Sequence, residues 1–104
     1  MKPTALVTFL VLSVGLYAQK IDQELLKQVA EVRKTDCDSA LSILPQNQIT
    51  SLTKDEIKAH AYLELGYTHY CLGNFDDALK NYQLSLDLFI ALDSKTKPAE
   101  ILNL

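Results

Sequence analysis

The two cysteines and two histidines of this chain, Cys37, Cys71, His60 and His69, are the first candidates to hold a metal or act as nucleophile and base. Their spacing argues against both roles. His69 and Cys71 are two residues apart, so on a helix their side chains diverge by more than half a turn, and His60 and His69 are too far apart to share a ligand. No Ser/His/Asp arrangement has supporting context, no glycine-rich loop could cradle a phosphate, and no carboxylate pair can be assigned to a cleft. Asp76-Asp77 reads instead as negative charge in the first turn of a helix, where it complements the helix dipole. The chain is therefore expected to have no catalytic residues, no metal and no cofactor, and not to be an enzyme.

The elements that must position these residues are clearest between Leu65 and Leu88. Tyr62, Leu65, His69 and Leu72 recur at i, i+3, i+7 and i+10, which places them on one helix face as an inner seam. Phe75, Ala78, Leu79, Tyr82, Leu86 and Phe89 form a matching stripe, and Asp76, Lys80, Gln83 and Asp87 form a separate polar one. The pattern predicts two antiparallel helices that meet at Gly73-Asn74. Thr53-x2-Glu56 supplies a capping box for the first, and Asn74 can cap the second.

The motif Tyr62-x2-Leu65-Gly66-x2-His69, followed by Gly73, Phe75, Ala78 and Tyr82, resembles the tetratricopeptide repeat with its Trp-x2-Leu-Gly-x2-Tyr and Ala-x3-Phe pattern. Tyr62 stands in place of Trp, His69 in place of Tyr and Ser85 in place of a small apolar residue, and the family's closing proline is missing near Ile90. The resemblance implies an all-α fold of antiparallel helical hairpins stacked as a short solenoid. Gly66 and Ala78 would let the two helix axes approach closely where they cross, with the aromatics filling the gaps beside them. His69 would be a buried ring in need of a hydrogen-bond partner.

With 104 residues and an apolar share of 48%, the chain has the size and composition of one globular domain. Residues 1–18 combine a basic start, a twelve-residue apolar run from Ala5 to Leu16, and Ala18 before Gln19. That is the layout of a secretory signal peptide, and the run falls short of the roughly twenty residues a membrane-spanning helix needs. Cleavage near Ala18 would release residues 19–104 into the periplasm or the extracellular space, with no membrane role beyond export. Beyond residue 18 there are 9 basic and 13 acidic residues, a net charge of −4 against −3 for the whole chain. No basic patch is present to displace counterions from phosphates, which argues against nucleic acid and against anionic membrane surfaces.

In chain order, Ile21 to Lys34 has the apolar periodicity of a helix with Asp22 as its N-cap. A short second helix should follow Asp36 and stop at Pro45. Cys37-Asp38-x-Ala40-Leu41 lines up with Phe75-Asp76-x-Ala78-Leu79 at an offset of 38, which marks residues 21–48 as a degenerate repeat before the better one at 54–92. Pro45 to Leu52 is the polar linker between them. Pro98, Ile101 and Leu104 give residues 97–104 the appearance of a third repeat that stops early. Leu84 and Leu88 lie off the main stripe of their helix, so a further element or self-association through that C-terminal helix is expected to cover them.

His60, Leu63, Tyr67, Tyr70 and Cys71 lie together opposite the expected seam, and none carries a fixed charge. In tetratricopeptide repeats this face lines the concave groove, so the resemblance implies that these five residues receive another protein's peptide or helix. Tyr67 and Tyr70 offer the largest contact area with a polar handle. The alternative is that the helix of residues 21 to 34 packs over part of this face. Cys37 and Cys71 fall near successive helix-to-helix turns. Helix separations of about 8–10 Å against the roughly 4.4–6.8 Å a disulfide requires favour Cys37 as a small core residue, in the place Phe75 fills later, over a bridge. Two functions are expected from this reading: an exported adaptor or scaffold, or the sensory leading part of a longer bacterial signalling protein such as a sensor histidine kinase or transcription regulator.

Overall fold

The computed structural model describes the backbone of residues 3–92 and the side chains of residues 15–92. The repeat start expected at 97–104 lies outside the described residues, as do the leader's side chains as far as residue 14. All regular structure among the described residues is helical: α1 (Pro3–Arg33), α2 (Cys37–Ile43), a short 3-10 helix (Gln46–Ser51), α3 (Asp55–Cys71) and α4 (Phe75–Ala91). The all-α expectation holds.

The first helix expected to open at Ile21 instead runs on from Pro3, so Asp22 lies inside α1 and caps nothing there. Its carboxylate reaches across to the segment before α3, accepting from the Thr53 backbone N–H at 2.8 Å and the Thr53 hydroxyl at 2.7 Å. With its hydroxyl engaged there, Thr53 does not form the expected capping box. The N-cap of α3 is Lys54, without a side-chain cap bond.

Asp36 does cap α2, accepting from Ser39 N–H at 3.1 Å and from the Ser39 hydroxyl at 2.6 Å. The Ser39 side-chain bond, followed by the backbone one, holds the Asp36 carboxyl below its ordinary value. The helix stops at Ile43, ahead of Pro45, as the proline requires. The linker that follows is less idle than its polar composition suggested. It winds into the 3-10 helix and plants Ile49 and Leu52 in the core.

The α3–α4 turn bears out the Gly73-Asn74 boundary. Gly73 has φ +80°, its N–H donates to the Tyr70 carbonyl at 3.1 Å, and the Asn74 N–H donates to the His69 carbonyl at 2.8 Å. This pair of bonds around a left-handed residue is a Schellman motif, which satisfies carbonyls that the end of α3 would otherwise strand. Asn74 is the N-cap of α4 by position but makes no side-chain cap bond. Its amide lies 3.3 Å from His69 Nδ1 and so supplies the partner that the half-buried ring needs.

The largest departure concerns which side of α3 faces what. Two hydrophobic clusters form, one on each of two opposite faces of this helix. Ile57, Ala61 and Leu65 join Val29, Ala40, Leu44, Ile49 and Leu52, with Tyr62 packed against them. Ala59 and Leu63 join Ala78, Tyr82 and Phe89 on the other side. The α4 seam is therefore built on Ala59 and Leu63, whereas Tyr62 and Leu65 serve α1, α2 and the 3-10 helix. A helix covered on two sides is apolar over most of its circumference, and periodicity then cannot say which stripe meets which neighbour.

On α4, Ala78, Tyr82, Ser85 and Phe89 are buried, but Phe75 and Leu79, placed in the same stripe by their spacing, are 57% and 66% exposed. Both lie beyond the line of contact because α4 rests chiefly on α3 alone. Ser85 fits its buried position by donating its hydroxyl to the Ala59 carbonyl at 2.7 Å, a cross-helix bond no apolar residue could make. At the crossing, a Cβ on Gly66 would come to 2.5 Å from the Tyr82 ring, so the close approach depends on glycine.

Candidate functional site

Taken at 100° per residue, His60, Glu64, Tyr67 and Cys71 at i, i+4, i+7 and i+11 share one stripe of α3 between its two buried faces. Opposite this stripe stands Arg33, the last residue of α1, where a cation complements the helix C-terminus. Its guanidinium bridges to Glu64 at 3.1 Å, with both side chains about a quarter or less exposed (26% and 19%). The same group lies over the Tyr67 ring at 5.0 Å from its centroid. Tyr67 in turn meets the edge of Tyr82 at 5.8 Å, and Tyr70 packs against Phe75 at 5.4 Å. These edge-to-face contacts fix the ring orientations across the α3–α4 turn.

Together Arg33, Tyr67, Tyr70, Cys71 and Tyr82 enclose an open cleft of about 300 Å³. Burial, with the neighbouring Tyr67 next in weight, pushes the Tyr82 hydroxyl up to about 12, so it stays protonated and can donate. Arg33 Nε is buried with no acceptor. The cleft offers aromatic faces and tyrosine hydroxyls as donors, with no carboxylate among its lining residues. A second open cleft, of about 370 Å³, lies between α1 and α3 with His60 and Glu64 on its wall. The Arg33–Glu64 pair joins the two, since Glu64 lines one and Arg33 the other.

The five residues expected to form one partner-facing surface are thus not equivalent. Tyr67, Tyr70 and Cys71 come together in the tyrosine cleft, and Tyr70 is 60% exposed. His60 stands apart on the second cleft, its ring edge-on to Phe89 at 5.1 Å. Leu63 is 3% exposed and belongs to the α3–α4 seam, so it offers no surface. The expectation that α1 covers part of this face is met at Arg33 and Tyr67.

Cys71 corrects a second expectation. It is bonded to Cys37, with their Cα atoms 6.3 Å apart, and the described residues include no free cysteine. The 8–10 Å helix spacing holds along packed helix bodies. Here the bond joins the first residue of α2 to the last of α3, where chain ends converge. Sequence reading missed Arg33 and Glu64. Glu64 was findable, because it falls four residues after His60 and on the same stripe as Tyr67. Arg33 had no local signal beyond its place at a helix end. Among the described residues no three His, Cys, Asp or Glu side chains gather as a metal site would require.

Compared with known proteins, the chain matches no protein-family model, no curated protein and no solved structure.

Proposed function

We propose that this chain is an exported helical-repeat module that captures a peptide or helix of another protein along the α1–α3 face, as an adaptor or scaffold. The observation that carries the reading is the tyrosine cleft, where Tyr67, Tyr70 and Tyr82 stand beside the Arg33 guanidinium and next to a second cleft in line with it. Aromatic rings with polar handles beside an arginine are the composition that dominates binding energy at protein interfaces. The tetratricopeptide-like arrangement is supported by the α3–α4 hairpin, with Gly66 and Ala78 at its crossing and the tight turn at Gly73. Export is supported by the Cys37–Cys71 disulfide, since such bonds persist in oxidising compartments. It is also supported by the exposure of Leu16 and Tyr17 beside the expected cleavage site.

The test is a selection of displayed twelve-residue peptides on the oxidised chain. Tyr67→Ala/Tyr70→Ala should weaken the selected peptides by tenfold or more, in line with two interface aromatics, while helix content by circular dichroism stays unchanged. Retained binding in that variant would move the site elsewhere, and loss of helix content would make the tyrosines part of the core.

One observation favours a second reading, the leading part of a longer signalling protein. Leu79 and Ile90 on α4 and Leu92 just after it are exposed, as an array would present them to a following helix or a second copy to its partner. The size of the native product in fractionated cells separates the two. A small soluble band supports the adaptor, and a much larger membrane-bound one supports the sensor.

A further inference from the structure

We propose that the Cys37–Cys71 disulfide is a redox latch on the tyrosine cleft, holding the wall that carries Arg33 against the wall formed by α3. The proposal rests on the reading of that cleft as a binding site. Cys71 lines the cleft and is exposed, whereas Cys37 is half-buried, so the bond is open to attack from one side. Cys37 also lies close to the opposite wall along the chain. It follows Arg33 by four residues, across the turn of residues 34–36, and its Sγ lies 3.4 Å from the Arg33 carbonyl oxygen. A bond fixed at Cys37 therefore fixes the end of α1.

The non-covalent ties across the same gap are weaker than they first look. Arg33 reaches Glu64 through Nη2 and rests on Tyr67, but its Nε is buried with no acceptor. A buried, unpaired donor opposes the position it is held in. The arginine thus sits where it does partly against its own solvation, and the disulfide adds to the constraint that Val29 and Val32 place on the end of α1. Neither cysteine belongs to the two hydrophobic clusters, so opening the bond leaves both cores in place.

The reductant is a dithiol of the dithiothreitol or thioredoxin class. Its thiolate attacks Cys71 Sγ, the Cys37–Cys71 bond breaks, and Cys37 leaves as a thiolate that takes up a proton. The second thiol of the reductant then loses its proton and attacks the sulfur joined to Cys71, closing the reductant's own disulfide and releasing the Cys71 thiolate, which is protonated. Two electrons pass from the dithiol to the protein, and two protein thiols result.

The experiment compares the full chain oxidised, reduced with dithiothreitol and reoxidised. It reads amide exchange by mass spectrometry and the affinity of a peptide selected by display on the oxidised form. The expected result is exchange at least tenfold faster in residues 31–37 on reduction, unchanged helix content, peptide binding at least tenfold weaker, and recovery of both on reoxidation. Cys37→Ser/Cys71→Ser should behave as the reduced chain and ignore dithiothreitol. Unchanged exchange at 31–37, or peptide binding indifferent to reduction, would overturn the latch. So would loss of helix content throughout the chain, because the bond would then be a staple of the fold. If peptide binding instead ignores Tyr67→Ala/Tyr70→Ala, the reading of the cleft fails, while the exchange measurement still decides whether the bond positions Arg33.

Discussion

Tyr82 has two roles that pull on one side chain. Its ring packs over Gly66 at the helix crossing, and its burial holds the phenol to about 12 against an ordinary 10.0. The unfolded chain loses this proton near pH 10 and the folded chain only near 12. The stabilisation is therefore fully present below pH 10 and is lost as pH rises through 12. Discounted for the solvent that reaches the open cleft, the shift contributes on the order of 1–2 kcal/mol. Denaturant melts at pH 9 and pH 12 should show that loss in the native chain, and Tyr82→Phe should remove most of it. An equally steep alkaline loss in the Phe variant would assign the dependence to other groups. At the same scale, the polar side chains of Ser85 and His69 make sense only with their neighbours in view, Ala59 for one and Asn74 for the other.

Among the elements, the boundaries that local chemistry can set were legible. Asp36 opens α2, Pro45 follows its end, and Gly73 supplies the left-handed residue that closes α3. Asp22 and Thr53 were each assigned to the start of their own helix, and the structure spends both on a bond between segments 31 residues apart in sequence. Two hydrogen bonds to an exposed carboxylate contribute about 1 kcal/mol together, well below their buried worth. Asp22→Ala should lower stability by about that amount and speed exchange of the Thr53 amide, whereas Asp22→Asn, which keeps an acceptor, should retain most of the protection. An Ala variant with Thr53 still protected would show that the 3-10 helix alone holds this segment.

For the molecule as a whole, α3 is the middle layer, with α4 on one side and α1, α2 and the 3-10 helix on the other. Among the described side chains, α1 contributes Leu25, Leu26, Val29 and Val32 to the core, while Leu16, Tyr17 and Ile21 remain exposed. Removal of residues 1–18 should accordingly leave the denaturation midpoint of the chain within the error of measurement. A clear drop would show that the leader segment contributes to the fold. No helix among the described residues is long and apolar enough to cross a membrane.

The amino-acid sequence by itself determined the helical class, the order of the α-helices from Asp36 onward and the turn at Gly73-Asn74. Each follows from interactions within a few residues, or from periodicity along one helix. It also singled out Tyr67 and Tyr70, because uncharged aromatics are out of place on a solvated stripe. Only the tertiary structure decided that Leu63 belongs to a seam, since α3 is apolar on two faces and the choice between them depends on distant neighbours, and that Phe75 lies on the surface, since α4 rests chiefly on α3 alone. The same holds for the disulfide and for the meeting of Arg33 with Glu64. Both depend on how closely helix ends converge, a distance that packing sets and residue spacing along the chain does not encode.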